Sequence, residues 1–162
     1  MPIEFNADEV FAIAEKIEIN GAKYYRKVAD RFKDSVRKTL LDLAAMEDHH
    51  LAIFKAMRSE LVEDETKPTV FDPDSESAAY LSAMADTRVF NVNEDPTAKL
   101  TGSESPANVL RTAIGFEKDS IVFYLGMKDL VPPRFGGTKI QDIIHEEMRH
   151  VQILNEELAR VL

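Results

Sequence analysis

Six side chains carry the chemistry that this sequence can be read for. Glu47 and His50 in Glu47-Asp48-His49-His50, and Glu147 and His150 in Glu147-Met148-Arg149-His150, form the same Glu-x-x-His pattern twice. Residues three apart on a helix are neighbours, with Cβ atoms about 5–6 Å apart, so each pattern directs a carboxylate and an imidazole to one face. Both patterns interrupt apolar stripes, the first between Leu43 and Phe54, the second between Ile143 and Leu154. Glu18 lies one turn from Ala14 and Gly21, and Glu117 lies between Ile114 and Ile121. A carboxylate buried without a partner is costly enough that it neutralises or acquires one. No lysine or arginine occupies matching positions in those stripes. Two divalent metal ions would cancel the four negative charges, with two neutral imidazoles completing the set. The expected chemistry is that of a paired-metal carboxylate centre.

An internal repeat supports the pairing. Glu18 to Tyr25 (EINGAKYY) matches Glu117 to Tyr124 (EKDSIVFY), with glutamate first, a small residue fourth and tyrosine eighth, at an offset of 99 residues. The two Glu-x-x-His patterns are offset by 100. Two similar halves, each giving one Glu and one Glu-x-x-His, predict a pseudo-twofold arrangement. One Glu-x-x-His alone is more often a solvated helix face; two of them together with the repeat favour metal binding. Glu15 could replace Glu18 on a rotated helix, but only Glu18 has the repeat and the apolar neighbours. His49 and His145 fall off this register and are expected to be exposed. Tyr25 and Tyr124 read equally as hydrogen-bond donors to ligating carboxylates and as core aromatics with a satisfied hydroxyl.

Four long helices must position these groups. Asn6 and Glu9 make a capping box, and Phe5 with Val10 a hydrophobic staple, at the start of the first helix. Its stripe runs Val10, Phe11, Ala14, Ile17, Gly21, Tyr25, Val28 and Phe32. Asp34 or Ser35 is the expected cap of a second helix with Val36, Leu40, Leu43, Leu51, Phe54, Met57 and Leu61, and the short gap makes the pair antiparallel. A crossover of residues 62–106 is broken by Pro68, Pro73 and Pro96, with a short amphipathic helix expected over Ser75 to Phe90. Ser105-Pro106 is a helix-start signal. The third helix presents Val109, Leu110, Ala113, Ile114, Ile121, Tyr124 and Leu125, and Pro132, Pro133, Gly136 and Gly137 end it. The fourth presents Ile140, Ile143, Ile144, Val151, Leu154, Leu158 and Val161. The methionines read as gap-filling core. No segment alternates with period two, so the fold class is all-α: a four-helix bundle of two antiparallel hairpins joined by one long crossover.

Composition is consistent with this. A chain of 162 residues supports one domain over residues 1–162. Its 29 acidic and 20 basic residues give a net charge of −9, which argues against nucleic acid and against anionic membranes as partners. The longest apolar run, Ile121 to Met127, is far below the roughly 20 residues of a spanning helix. The start, MPIEFNADEV, has neither a basic nor an apolar signal region, and no cysteine is present. The expected compartment is the cytoplasm.

The segments EINGAKYY and MEDHH, with their partners EKDSIVFY and EEMRH, resemble the ferritin-like superfamily and, within it, rubrerythrin-like proteins. The resemblance covers essentially the whole chain, crossover included. It implies that Glu18, Glu47, His50, Glu117, Glu147 and His150 ligate two iron ions, with Glu47 and Glu147 where shared carboxylates usually stand. Two features depart from full-length rubrerythrin. A cysteine-ligated iron domain cannot be built from a sequence without cysteine, and Ser120 stands where a second carboxylate usually follows the helix-three ligand.

The expected activity is that of a di-iron oxidoreductase acting on hydrogen peroxide or dioxygen, a peroxidase or ferroxidase serving oxidative-stress defence. It requires an external electron donor such as a rubredoxin-type protein or a reductase. Mixed Glu/His ligation suits iron or manganese, while zinc or copper would bind at least as well under the usual affinity order. Alternatives are iron handling or storage of the ferritin type, and a metal-free helical interaction module. Exposed apolar residues on the crossover would allow a homodimer. The sequence shows no substrate pocket.

Overall fold

The computed structural model describes residues 5–68, 71–86 and 92–162. Helix α1 spans Ala7–Ala29. Asn6 caps it by accepting from the Glu9 amide at 2.9 Å, while the Glu9 carboxylate accepts from the Asn6 amide at 3.1 Å. This reciprocal box satisfies two of the amides that a helix start leaves open. Phe5 packs against the core beside it. Helix α2 spans Asp34–Ser59. Neither Asp34 nor Ser35 caps it: its start has no side-chain cap, Asp34 takes φ 60°, and the Ser35 hydroxyl donates to Glu157 at 2.6 Å.

A 3-10 turn, Glu63–Thr66, leads into the crossover, whose helix α3 spans Glu76–Asp86. Asp72 accepts from the Ser77 and Ala78 amides at 3.3 and 2.9 Å and so closes the N-terminal end of α3. Residues 87–90 of the expected helix lie outside the described residues. Helix α4 spans Pro106–Met127, with Ser105 accepting from the Asn108 amide and proline in the first turn. The Pro/Gly stretch after it contains one helical turn, α5, Pro133–Gly136. Helix α6 spans Lys139–Val161. Among the described residues there is no strand.

Cross-links fix the directions. Arg58 pairs with Asp8, and Arg26 with Asp48, so α1 and α2 run antiparallel. Tyr25 meets Glu117 and Tyr124 meets Glu18, so α1 and α4 are also antiparallel. Helices α2 and α4 are therefore parallel, as a long crossover permits. Two sequence expectations fail at the surface. Leu125 is 47% exposed, because α4 turns Phe123, Gly126 and Met127 inward. Met46 and Met148 are exposed, whereas Met57 and Met127 fill the core.

Among the described residues the core consists of two apolar clusters. One holds Phe11, Phe54, Met57, Tyr124, Phe135 and Ile144; the other holds Tyr24, Tyr25, Leu40, Leu43, Leu110 and Leu154. On all four long helices the boundary between them falls at the same level, near residues 18, 47–50, 117 and 147–150.

Candidate metal centre

That boundary is a buried polar layer. Glu18, Glu47, His50, Glu117, Glu147 and His150 are each at most 4% exposed. The amphipathic period that buries Ala14 and Ile17 also buries Glu18, and the same holds for the others on their own helices.

Within the layer, ligand atoms form two overlapping quartets. One atom each from Glu18, Glu47, His50 and Glu147, and one each from Glu47, Glu117, Glu147 and His150, lie within 4.8 Å of one another. Glu47 and Glu147 belong to both. His50 Nδ1 is 3.0 Å from Glu147 Oε1 and 3.7 Å from Glu18 Oε2. His150 Nδ1 is 2.9 Å from Glu147 Oε2, 3.2 Å from Glu47 Oε1 and 3.5 Å from Glu117 Oε2. The two imidazoles stack at 5.5 Å between centroids and 17° between planes.

These groups are close without being bonded. Glu18 Oε2, Glu47 Oε1, both Glu147 oxygens and both Nδ1 atoms are buried and make no hydrogen bond. Leaving a buried polar atom unsatisfied costs about 1–3 kcal/mol, more for a charge. Donor atoms 2.9–3.7 Å apart that make no hydrogen bond to one another suit a cation about 2.0–2.2 Å from each. Four carboxylates and two imidazoles are also the hard and borderline donors that iron, manganese and zinc accept. The residues fit a two-metal site.

A surrounding shell orients them. Tyr25 on α1 donates to Glu117 on α4, and Tyr124 on α4 donates to Glu18 on α1, a crossed pair related by the sequence repeat. His50 Nε2 lies 2.7 Å from Glu146 Oε2. An acceptor there favours the proton on Nε2, leaving the Nδ1 lone pair turned to the cluster.

Without an ion, protons carry the compensation. Burial holds the His50 and His150 imidazoles down, but the facing glutamates outweigh it and push them up to about 11 and about 12. Burial, with the Glu147 charge, pushes Glu117 up to about 8. Burial, with the charges of Glu117 and Glu18, holds Glu47 well above the usual carboxylate range. Burial raises Glu18 as well. Burial also acts to raise Glu147, yet its pKa is lowered, because both imidazoles favour its charged form. Such a cluster exchanges protons for metal ions.

Glu15 turns away and pairs with Arg58 at 3.3 Å, and His49 and His145 are exposed. Sequence reasoning missed Glu146, which has no positional signal because its partner sits 96 residues away.

Residues 9–95, more than half of the chain, match the family model described as rubrerythrin. A crystal structure of a protein described as ferritin-like and diiron-carboxylate, from Thermotoga maritima, is similar over 98% of each chain with a TM-score of 0.71 at 24% identity. That likeness shows a shared ferritin-like fold. No curated protein matches the sequence.

Proposed function

The chain belongs to the rubrerythrin family, and from that premise we propose that it is a di-iron oxidoreductase that reduces hydrogen peroxide, or dioxygen, with electrons from an external donor. The observation that carries this reading is the convergence of six buried residues in two quartets that share Glu47 and Glu147, with six of their donor atoms unbonded. Glu18 and His50 would hold one ion, Glu117 and His150 the other, and Glu47 and Glu147 would serve both. Bound there, two reduced iron ions would supply the two electrons that reduction of an O–O bond requires.

The protein's own part is neutrality, orientation and an apolar surround. Four carboxylates balance two divalent charges, so the ferrous state is held without excess charge. Tyr25 and Tyr124 fix the rotation of Glu117 and Glu18, and Glu146 fixes the tautomer of His50. The apolar clusters above and below close the layer off along the bundle axis. A rubredoxin-type protein or a reductase would return the electrons.

The test is chain expressed with added iron, assayed for iron content, visible absorption and steady-state peroxide consumption with a reductant. The expected result is two iron ions per chain, with turnover that Glu47→Ala abolishes. Wild-type turnover no faster than that of Glu47→Ala would remove the peroxidase reading.

A further inference from the structure

A cavity of about 380 Å³ opens beside the polar layer, with Glu47 and Glu117 in its lining. Hydrogen peroxide needs little more room than a water molecule, whose share of the liquid is about 30 Å³. The cavity instead falls in the size class of organic ligands, about 300–1,000 Å³. Next to the two glutamates its walls are Ile17, Tyr25 and Phe116, an aliphatic chain and two rings.

Two small residues keep the space open. A Cβ on Gly21 would lie 3.4 Å from Glu47 Cγ, an ordinary van der Waals contact, so a methyl group fits there and a longer side chain would take up room beside that carboxylate. Ser120 turns its hydroxyl back to the Phe116 carbonyl at 3.0 Å and presents little volume. The far side is built by crossover residues between Val92 and Lys99, anchored to α1 by Asn20 donating to the Val92 carbonyl at 3.0 Å and by Lys23 with Asp95 at 2.6 Å. There Asp95 pairs with Lys23 and Glu94 lies 3.7 Å from Lys99, so among the described residues the negative charge of the lining beyond the polar layer comes from Asp119 on α4. That charge disfavours an anionic guest.

We propose that this cavity seats the organic body of a neutral alkyl or aryl hydroperoxide, placing its O–O group against Glu47 and Glu117. The assignment rests on the peroxide-reducing reading and names its substrate class. In the reaction the O–O bond breaks, two electrons from the external donor reduce the two oxygens, and two protons complete an alcohol and a water. The alcohol leaves by the same opening.

The test uses the full chain in two forms. With zinc bound, the protein is redox-inert and is titrated with 2-phenyl-2-propanol, the alcohol formed from cumene hydroperoxide, while amide NMR signals are followed. Saturable shifts at Gly21, Phe116 and Ser120 are expected, weakened at least tenfold in Ser120→Leu. With iron bound, the ratio of kcat/KM for cumene hydroperoxide to that for hydrogen peroxide should fall at least tenfold in Ser120→Leu. Ala98→Trp, placed on the exposed crossover wall, is expected to do the same and serves if the first variant does not fold. Hydrogen peroxide turnover without saturable alcohol shifts, or a ratio that both variants leave unmoved, overturns this inference alone. Alcohol shifts with neither peroxide consumed would instead remove the peroxidase reading, and the substrate assignment with it.

Discussion

The Nε2 atom of His50 stands 2.7 Å from a carboxylate oxygen of Glu146, a side chain of the opposite hairpin that is 36% exposed. The 100-residue offset that maps Glu47 onto Glu147 and His50 onto His150 maps Met46 onto Glu146. A thioether is a weak acceptor. The two halves of the layer are therefore equivalent in their ligand types and unequal in their support.

That inequality predicts unequal metal affinity. Losing a carboxylate behind a ligating histidine typically costs about 10–100-fold in affinity. Glu146→Ala should weaken one of two bound ions by that factor and leave the other nearly as it was. Chelator competition, read as two resolved steps, checks it; equal weakening of both ions would contradict the asymmetry.

The pH dependence of the metal-free protein follows from the trapped protons. His50 and His150 titrate in the folded chain near 11 and 12 against an ordinary 6.5, so their stabilisation is complete below about 6.5 and is lost as pH rises towards those values. Glu117, raised to about 8 from an ordinary 4.5, keeps a proton that the unfolded chain has released, which also lowers stability as pH rises from 4.5 to 8. Metal ions compete with the same protons. Thermal unfolding should show Tm of the metal-free chain falling between pH 6.5 and 8, and the gap to the metal-loaded chain widening. A gap that narrows with pH would contradict the exchange.

The crossed tyrosines should act alike. Tyr25→Phe and Tyr124→Phe each take the hydroxyl from a buried carboxylate, Glu117 or Glu18. A hydrogen bond to a charged group contributes about 1.5–3 kcal/mol. Urea unfolding of each variant in its metal-loaded form, where Glu117 and Glu18 are carboxylates, should show a loss of that order, similar for the two because the repeat relates them. A loss confined to one would mean that the other is only a core ring.

Gly136 is required for shape. A Cβ there would sit 2.6 Å from the backbone carbonyl oxygen of Lys128, which has no flexible end to yield. Gly136→Ala should destabilise the chain by about 1–3 kcal/mol, as overpacking does. Denaturant midpoints measure it, and an unchanged midpoint would show that the α4–α5 connection can move.

Helix starts were legible in the sequence where the cap is local. Asn6 with Glu9, and Ser105 with Pro106, involve neighbours within one turn. The start of α2 was not, because the Ser35 hydroxyl is claimed by Glu157 from the far end of the chain. The apolar period alone places Leu125 in the core, for a similar reason. A Cβ on Gly126 would meet Tyr80 and Leu81 within 3 Å, so α3 docks on that glycine and α4 turns the adjacent leucine outward. The six polar residues stood out because acids and histidines inside an apolar period break the pattern that exposes them. Their convergence is what the repeat foretold. The cavity and Glu146 depend on contacts between elements distant in sequence, and no local period marks them.

The level at which the two apolar clusters part gives the bundle a waist. Each end is an apolar half-core, while the girdle between them holds buried acids that protons or metal ions must neutralise. The cheapest opening is thus at mid-height, and an ion can be exchanged there without melting either end. Filling the girdle ties the half-cores together through ligands from all four long helices, so a bound ion steadies both ends at once.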